Sequence, residues 1–158
     1  MAQRKQPMRN FAARNRKARF NYFIENTLEA GLVLIGTEIK SLRCGNSSID
    51  ESYATENKGE IYLLNSYIPE YEEAGQLNQH EVRRPRKILL HKSEIKRLGN
   101  AINREGFTLV PLSIYFNSKG IAKVELGLAK GKRKFEKRAV MKEREWERDK
   151  GRLLREKG

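Results

Sequence analysis

Two neighbouring stretches decide the fold: Thr108-Leu-Val-Pro-Leu-Ser-Ile-Tyr-Phe116 and Ile121-Ala-Lys-Val-Glu-Leu-Gly-Leu-Ala129, joined through Asn117-Ser-Lys-Gly120. Val110, Leu112, Ile114 and Phe116 recur every second residue, and so do Ala122, Val124, Leu126 and Leu128. That period belongs to half-buried strands, and the intervening turn residues make the pair an antiparallel hairpin. Pro111 has no N–H for a ladder, so an edge or a bulge is expected there.

Upstream, the same period marks residues 20–25, with Phe20, Tyr22 and Ile24 on one side, and Gly31 opens a second apolar run, Leu32 to Ile35. Residues 49–53 and 60–67 read as strands about the turn signal Asn57-Lys58-Gly59, and Pro69 closes the second. Two short helices interrupt this pattern. The first has Thr37 as N-cap, Ile39 and Leu42 on one face and Gly45 as its stop. The second has Ser93 as cap, Glu94 near the positive end of the dipole, Ile95, Leu98 and Ile102 as its apolar stripe and Gly106 as its stop. Five or six strands, two small helices and no βαβ rhythm predict a mainly β protein, a compact antiparallel barrel similar to an oligonucleotide-binding fold.

Charge divides the chain into three expected parts: a basic arm at 1–14, a barrel at 15–130 and a basic tail at 131–158. Residues 1–19 hold seven Lys or Arg and no acid, and residues 130–158 hold thirteen bases against six acids, so each end is +7. The body between is −1, which recovers the total of +13. Clustered cations at the ends of a near-neutral body suit a polyanion, because they displace its condensed counterions. A solvated face is the bland alternative, but such faces mix both signs and the N-terminal run does not. In the tail, Ala139, Trp146 and Leu153 recur every seven residues, a stripe too narrow to bury against the body. Disorder in the free protein, with helix forming on a partner, is the expectation.

Catalytic and metal chemistry find little support. Gly127-Leu-Ala-Lys-Gly131-Lys132 has one residue too few for a phosphate-binding loop, and Arg133 replaces its Ser or Thr. His80, His91 and the single Cys44 lack metal-ligand spacing, so no metal site and no cofactor is expected. Glu29, Glu38 and Asp50 have no nucleophile at readable spacing, and the chain is not expected to be an enzyme. A lone cysteine suits a reducing compartment, and no apolar run approaches a membrane span, so a cytoplasmic location without membrane contact is expected.

Asn15-Arg-Lys-Ala-Arg-Phe-Asn-Tyr-Phe-Ile24, Leu28-Glu-Ala-Gly31, Gly36-Thr-Glu-Ile-Lys-Ser-Leu-Arg43, Arg86-Lys-Ile-Leu-Leu90, Arg104-Glu-Gly-Phe-Thr108, Leu128-Ala-Lys-Gly-Lys132 and Lys142-Glu-Arg-Glu-Trp-Glu-Arg-Asp-Lys150 follow one another in this order. In that order they resemble the SmpB (SsrA-binding, small protein B) family, from about Asn10 to Arg155. The resemblance implies a six-stranded antiparallel barrel that binds the tRNA-like domain of transfer-messenger RNA. It also implies delivery to stalled ribosomes for trans-translation with elongation factor Tu, the tail folding in the empty mRNA channel of the small subunit. Without the resemblance, a ribosomal or ribosome-assembly protein bound to rRNA shares the same charge layout.

By the same resemblance Asn15, Glu29 and Leu89 match RNA-binding positions. An Asn amide donates and accepts at a base edge, and Glu29 can accept from an amino or 2′-hydroxyl group. Leu89 packs on the RNA or is an ordinary core residue; sequence leaves both open. Arg16, Lys17, Arg19, Lys40, Arg43, Arg84, Arg86 and Lys87 are the expected phosphate contacts of the body. Phe20, Tyr22 and Tyr53 are candidates for base stacking, though alternation puts the first two in the core. Along the tail, Lys130, Lys132, Arg133, Lys134, Lys137 and Arg138 are assigned to ribosomal RNA, with Met141 and Trp146 as apolar anchors. Phe135-Glu136 stands where the family commonly has His or Tyr followed by Asp. Stacking survives that change, whereas a ring nitrogen or hydroxyl donor does not.

Overall fold

A computed structural model describes residues 10–132 and 134–156. Seven strands form one antiparallel sheet: β1 (Asn10–Arg14), β2 (Tyr22–Leu32), β3 (Tyr53–Asn57), β4 (Glu60–Leu64), β5 (Arg86–Leu89), β6 (Thr108–Phe116) and β7 (Ala122–Gly131). The order β6-β3-β4-β5-β2-β7 closes on itself through β6–β7 pairing, so six strands make the barrel. β1 adds a seventh by sharing one edge of β6 with β3: it pairs with residues 113–116, while Ala54 of β3 pairs with Leu109. Residues 10–14, expected in the arm, therefore belong to the sheet, and Ala13 joins the core.

Inside the ring, Ile61, Leu63, Ile88, Leu109, Ile114, Val124 and Leu126 are all buried in one cluster. Each such side chain contributes on the order of 1.5–3 kcal/mol by leaving water. The hairpin appears as expected, but its inner face is not Val110-Leu112-Ile114-Phe116. A bulge between Pro111 and Ser113 shifts the phase, so that Leu109 precedes it on the inside and Ile114 and Phe116 follow. Pro111 thus sits at a bulge, where a missing N–H breaks no regular pair.

The two strands expected from residues 20–35 are in fact one. Phe20 lies in a single helical turn, α1 (Ala18–Asn21), and β2 then runs through Gly31 to Leu32. Glycine is accommodated in this strand because Leu89 of β5 lies over it; an added Cβ would stand 3.3 Å from that of Leu89. Residues 49–52 turn instead of extending, with the Ser52 N–H bonded to the Ile49 carbonyl at 3.1 Å. β3 and β4 then meet through Lys58 and Gly59, both at positive φ, which is the two-residue turn that matches strand twist.

α2 (Gly36–Cys44) and α3 (Lys92–Arg104) occupy the expected places, each one to two residues ahead of its expected cap. Glu38 sets the start of α2 by accepting from the Ile35 N–H at 2.8 Å, while the Thr37 hydroxyl bonds His80 Nδ1 at 2.9 Å instead of capping. Residues 134–156 form a continuous helix, α4, where a disordered tail was expected. Good helix formers fill it, and Glu145–Arg148, Glu147–Lys150 and Asp149–Arg152 are acid-before-base pairs at helical spacing. α4 meets α1, where the Arg144 guanidinium lies 5.7 Å over the Phe20 ring.

One end of the barrel is tied by a buried ion pair. Arg86 and Glu38 are both fully buried, and Arg86 Nε donates to Glu38 Oε2. The other four N–H groups of the guanidinium reach the Ser66 carbonyl and hydroxyl, both at 2.8 Å, and the Glu81 and Val82 carbonyls. Arg84 holds the second Glu38 oxygen at 2.6 Å. Burial raises the Glu38 pKa, but hydrogen bonds from Arg84 and the Ile35 N–H, with the charge of Arg86, bring it below its ordinary 4.5. A folded value below the unfolded one stabilises fully above about pH 4.5 and is lost as pH falls through the folded value. Urea midpoints should fall on that acid limb. Arg86→Ala, which leaves Glu38 Oε2, Ser66 and two carbonyls without their buried partner, should lower the unfolding free energy by about 3–5 kcal/mol at neutral pH, and a loss under 1 kcal/mol would contradict the pairing.

Candidate nucleic-acid interface

Strand register brings residues far apart in sequence into one line that curves around the outside of the barrel. Leu89 pairs with Gly31, Gly31 with Lys123, Lys123 with Tyr115, and Tyr115 with Phe11. Followed along the curved sheet, four strand spacings make this stripe about 19 Å long. Leu89 is 53% exposed, which rules out the core reading, and Phe11 is 43% exposed. Beside the stripe lies a groove of about 320 Å³ lined by Glu29, Gly31, Leu89, His91, Glu94 and Lys123. Two of the expected residues, Glu29 and Leu89, thus share one depression.

Glu29 is held in place from below. The buried Tyr115 hydroxyl donates to Glu29 Oε2, and the Tyr115 ring meets Phe11 edge-on, with centroids 5.9 Å apart at 61°. Arg14 continues the series, its guanidinium 3.7 Å over the Phe11 ring. A carboxylate so placed is an acceptor on a wall bordered by cations. Such an arrangement can read amino or hydroxyl groups, whereas phosphate alone calls only for positive charge.

The expected cations separate into several groups. Arg16 lines a groove with Phe11 and Arg14, and Lys17 lines an adjoining one with Tyr67 and Arg83; both grooves include Ser48 and Asp50. Arg19 is exposed, and its carbonyl accepts from Lys132 Nζ at 3.0 Å. Lys40 and Arg43, on α2, lie over the Tyr71 and Phe116 rings at 5.7 and 4.2 Å. Lys87 Nζ donates to Glu60 at 2.7 Å, a bond that raises the lysine pKa, yet it remains 40% exposed.

Arg86 is a correction: buried, with every N–H taken up inside the fold, it has nothing to offer a phosphate. Arg84 is partly withdrawn by Glu38 and is 29% exposed. Asn15 also works inward, its Nδ2 donating to the Pro111 carbonyl at 3.0 Å and to that of Ile49 at 3.4 Å, which fixes the β6 bulge.

At the start of the tail, Lys130 and Lys132 lie over the Phe107 and Phe23 rings at 4.5 and 4.9 Å. Arg138, Met141 and Trp146 are exposed on α4. Arg133, and the side chains of Lys134, Phe135, Glu136 and Lys137, lie outside the described residues, as do residues 1–9 of the arm. The sequence reading missed Phe11, Arg14, Arg83, Tyr115 and Lys123. Hairpin parity carried a signal for the last two, since alternation about Ile114 and Val124 turns Tyr115 and Lys123 outward. Among the described residues no metal-holding cluster occurs, and no helix is long and apolar enough to cross a membrane.

A closed six-stranded barrel with an aromatic and aliphatic stripe around its outside, cations at its margins and a braced acceptor beside it defines a small β-barrel protein of the oligonucleotide-binding type. The chain belongs to the SmpB family, whose model, described as SmpB protein, matches residues 12–156. The SsrA-binding protein of Sinorhizobium fredii (strain NBRC 101917 / NGR234) is 60% identical over 151 residues, covering 96% of this chain and 94% of that protein. That of Bradyrhizobium sp. (strain BTAi1 / ATCC BAA-1182) is 56% identical over the full length of both. A solved structure described as "tmRNA-SmpB: a journey to the center of the bacterial ribosome" contains a chain 46% identical, with a TM-score of 0.64, covering 85% of this chain and 94% of its own.

The Tyr115–Glu29 bond can be measured directly. A double-mutant cycle of Tyr115→Phe and Glu29→Ala, read by urea denaturation, should give a coupling of about 1.5–3 kcal/mol, and a coupling near zero would contradict the contact.

Proposed function

We propose that this chain binds the tRNA-like domain of transfer-messenger RNA and carries it to stalled ribosomes for trans-translation, its C-terminal helix occupying the empty mRNA channel. Membership of the SmpB family over residues 12–156 carries this reading. The outer wall supports it physically. Structured RNA is recognised by shape, by 2′-hydroxyls and by unpaired bases, and the wall offers an acceptor at Glu29 and apolar or aromatic surface at Leu89 and Phe11. Arg16 shares a groove with Phe11, and Lys17 lines the groove adjoining it, so both can supply phosphate attraction.

The tail suits the second half of the task. At 1.5 Å per residue the 23 residues of α4 make a rod about 35 Å long. Its described middle, residues 141–150, is exposed throughout, so cations and Trp146 are available to a ribosomal RNA channel. Peptide transfer and GTP hydrolysis belong in this scheme to the ribosome and to elongation factor Tu, which accompanies the complex in the cytoplasm. The chain itself binds and positions.

Truncation after Gly131 should leave affinity for the isolated tRNA-like domain within about threefold of the full chain while abolishing tagging in a rescue assay. Tagging by the truncated protein would contradict the channel role. Glu29→Ala should weaken specific binding about tenfold with little change in the slope of log affinity against log salt, because no phosphate contact is lost. A changed slope would contradict direct reading by Glu29.

A further inference from the structure

The stripe ends in a second groove. About 560 Å³ in volume, it lies between β1 and the segment at residues 47–50 and is lined by Phe11, Arg14, Arg16, Ser47, Ser48 and Asp50 among others. We propose that it holds one unpaired nucleotide of RNA, with the base laid against the Phe11–Arg14 pair and the phosphate at Arg16. This rests on the RNA-binding reading above and extends the footprint from Glu29 to β1.

Two observations converge on the assignment. Phe11 is an exposed aromatic on the outer wall, and the guanidinium 3.7 Å over its ring makes a preformed planar surface. Bases stack on aromatic rings and on guanidinium planes alike, and little side-chain freedom is lost where those planes are already together. Adjacency supplies the second: Phe11 packs on Tyr115, which holds Glu29 and pairs with Lys123, so RNA at Glu29 and Lys123 has the groove about two strand spacings away.

Charge orients the nucleotide. Asp50 repels phosphate and offers an acceptor to an amino or hydroxyl group, while Arg16 attracts phosphate.

Equilibrium binding of the full chain to a transcript of the tRNA-like domain tests this with wild type, Phe11→Ala, Phe11→Tyr and Glu29→Ala at several salt concentrations. Phe11→Ala should bind about tenfold more weakly with an unchanged salt slope, and Phe11→Tyr, which keeps the stack, within twofold of wild type. Ultraviolet crosslinking of the wild-type complex, mapped by mass spectrometry, should place a nucleotide on the peptide containing Phe11, a readout independent of any variant's folding. Wild-type affinity in Phe11→Ala, or crosslinks confined to other strands, would overturn this inference and leave the proposed function standing. Failure of the wild type to bind the transcript specifically would overturn both.

Discussion

Ring closure through β2 and β7 is the constraint on which the rest depends. β2 pairs with β7 from Tyr22 to Gly31 and with β5 at Gly31 and Leu32, so one long strand joins the two halves of the barrel. Once the ring is closed, side-chain parity is shared by every strand. Ala30, Ile88, Val124 and Ile114 point inward together, and Gly31, Leu89, Lys123 and Tyr115 are placed side by side outside. The same pairing that builds the core therefore builds the recognition stripe. Gly31 links the two, because the missing side chain leaves room for Leu89 to pack closely over the strand.

A second constraint divides the cations by task. Arg86 is surrounded by Glu38, Ser66, Glu81 and Val82 and so joins α2, the segment after β4 and the loop ahead of β5. The energetic value of such a pair lies in the penalty for breaking it, since an unpartnered buried charge is far worse than a hydrophobic substitute. Arg84 shares Glu38 with Arg86, and Lys87 has Glu60. Of the body cations expected at phosphate, those left to a partner are Arg16, Lys17 and Arg19 and, on α2, Lys40 and Arg43.

This is why charge in the sequence located the partner class but not every contact. Arg86 and Lys87 are alike in a composition count, and burial alone separates them. The β6–β7 hairpin and both helices were legible from period and turn chemistry. The β6 bulge was not, because a one-residue shift leaves no mark in the alternation and its carbonyl meets Asn15, ninety-six residues before Pro111, only in the fold. β1 was masked by the acid-free charge around it, and with it went Phe11 and Arg14. Glu29 and Leu89 were found through the family motif, while the Tyr115 hydroxyl behind Glu29 required the register. In α4, local propensity prevailed over the narrow apolar stripe.

A barrel wall that reads RNA and a separate cationic helix that does not take part in that reading make up the central claim. Methyl-resolved NMR of the full chain, titrated with the tRNA-like domain, addresses it most directly. The Leu89 methyls should shift strongly, those of Ile61 and Leu63 inside the ring should move little, and Met141 on α4 should stay in place. Shifts concentrated at Met141, with Leu89 unmoved, would contradict it.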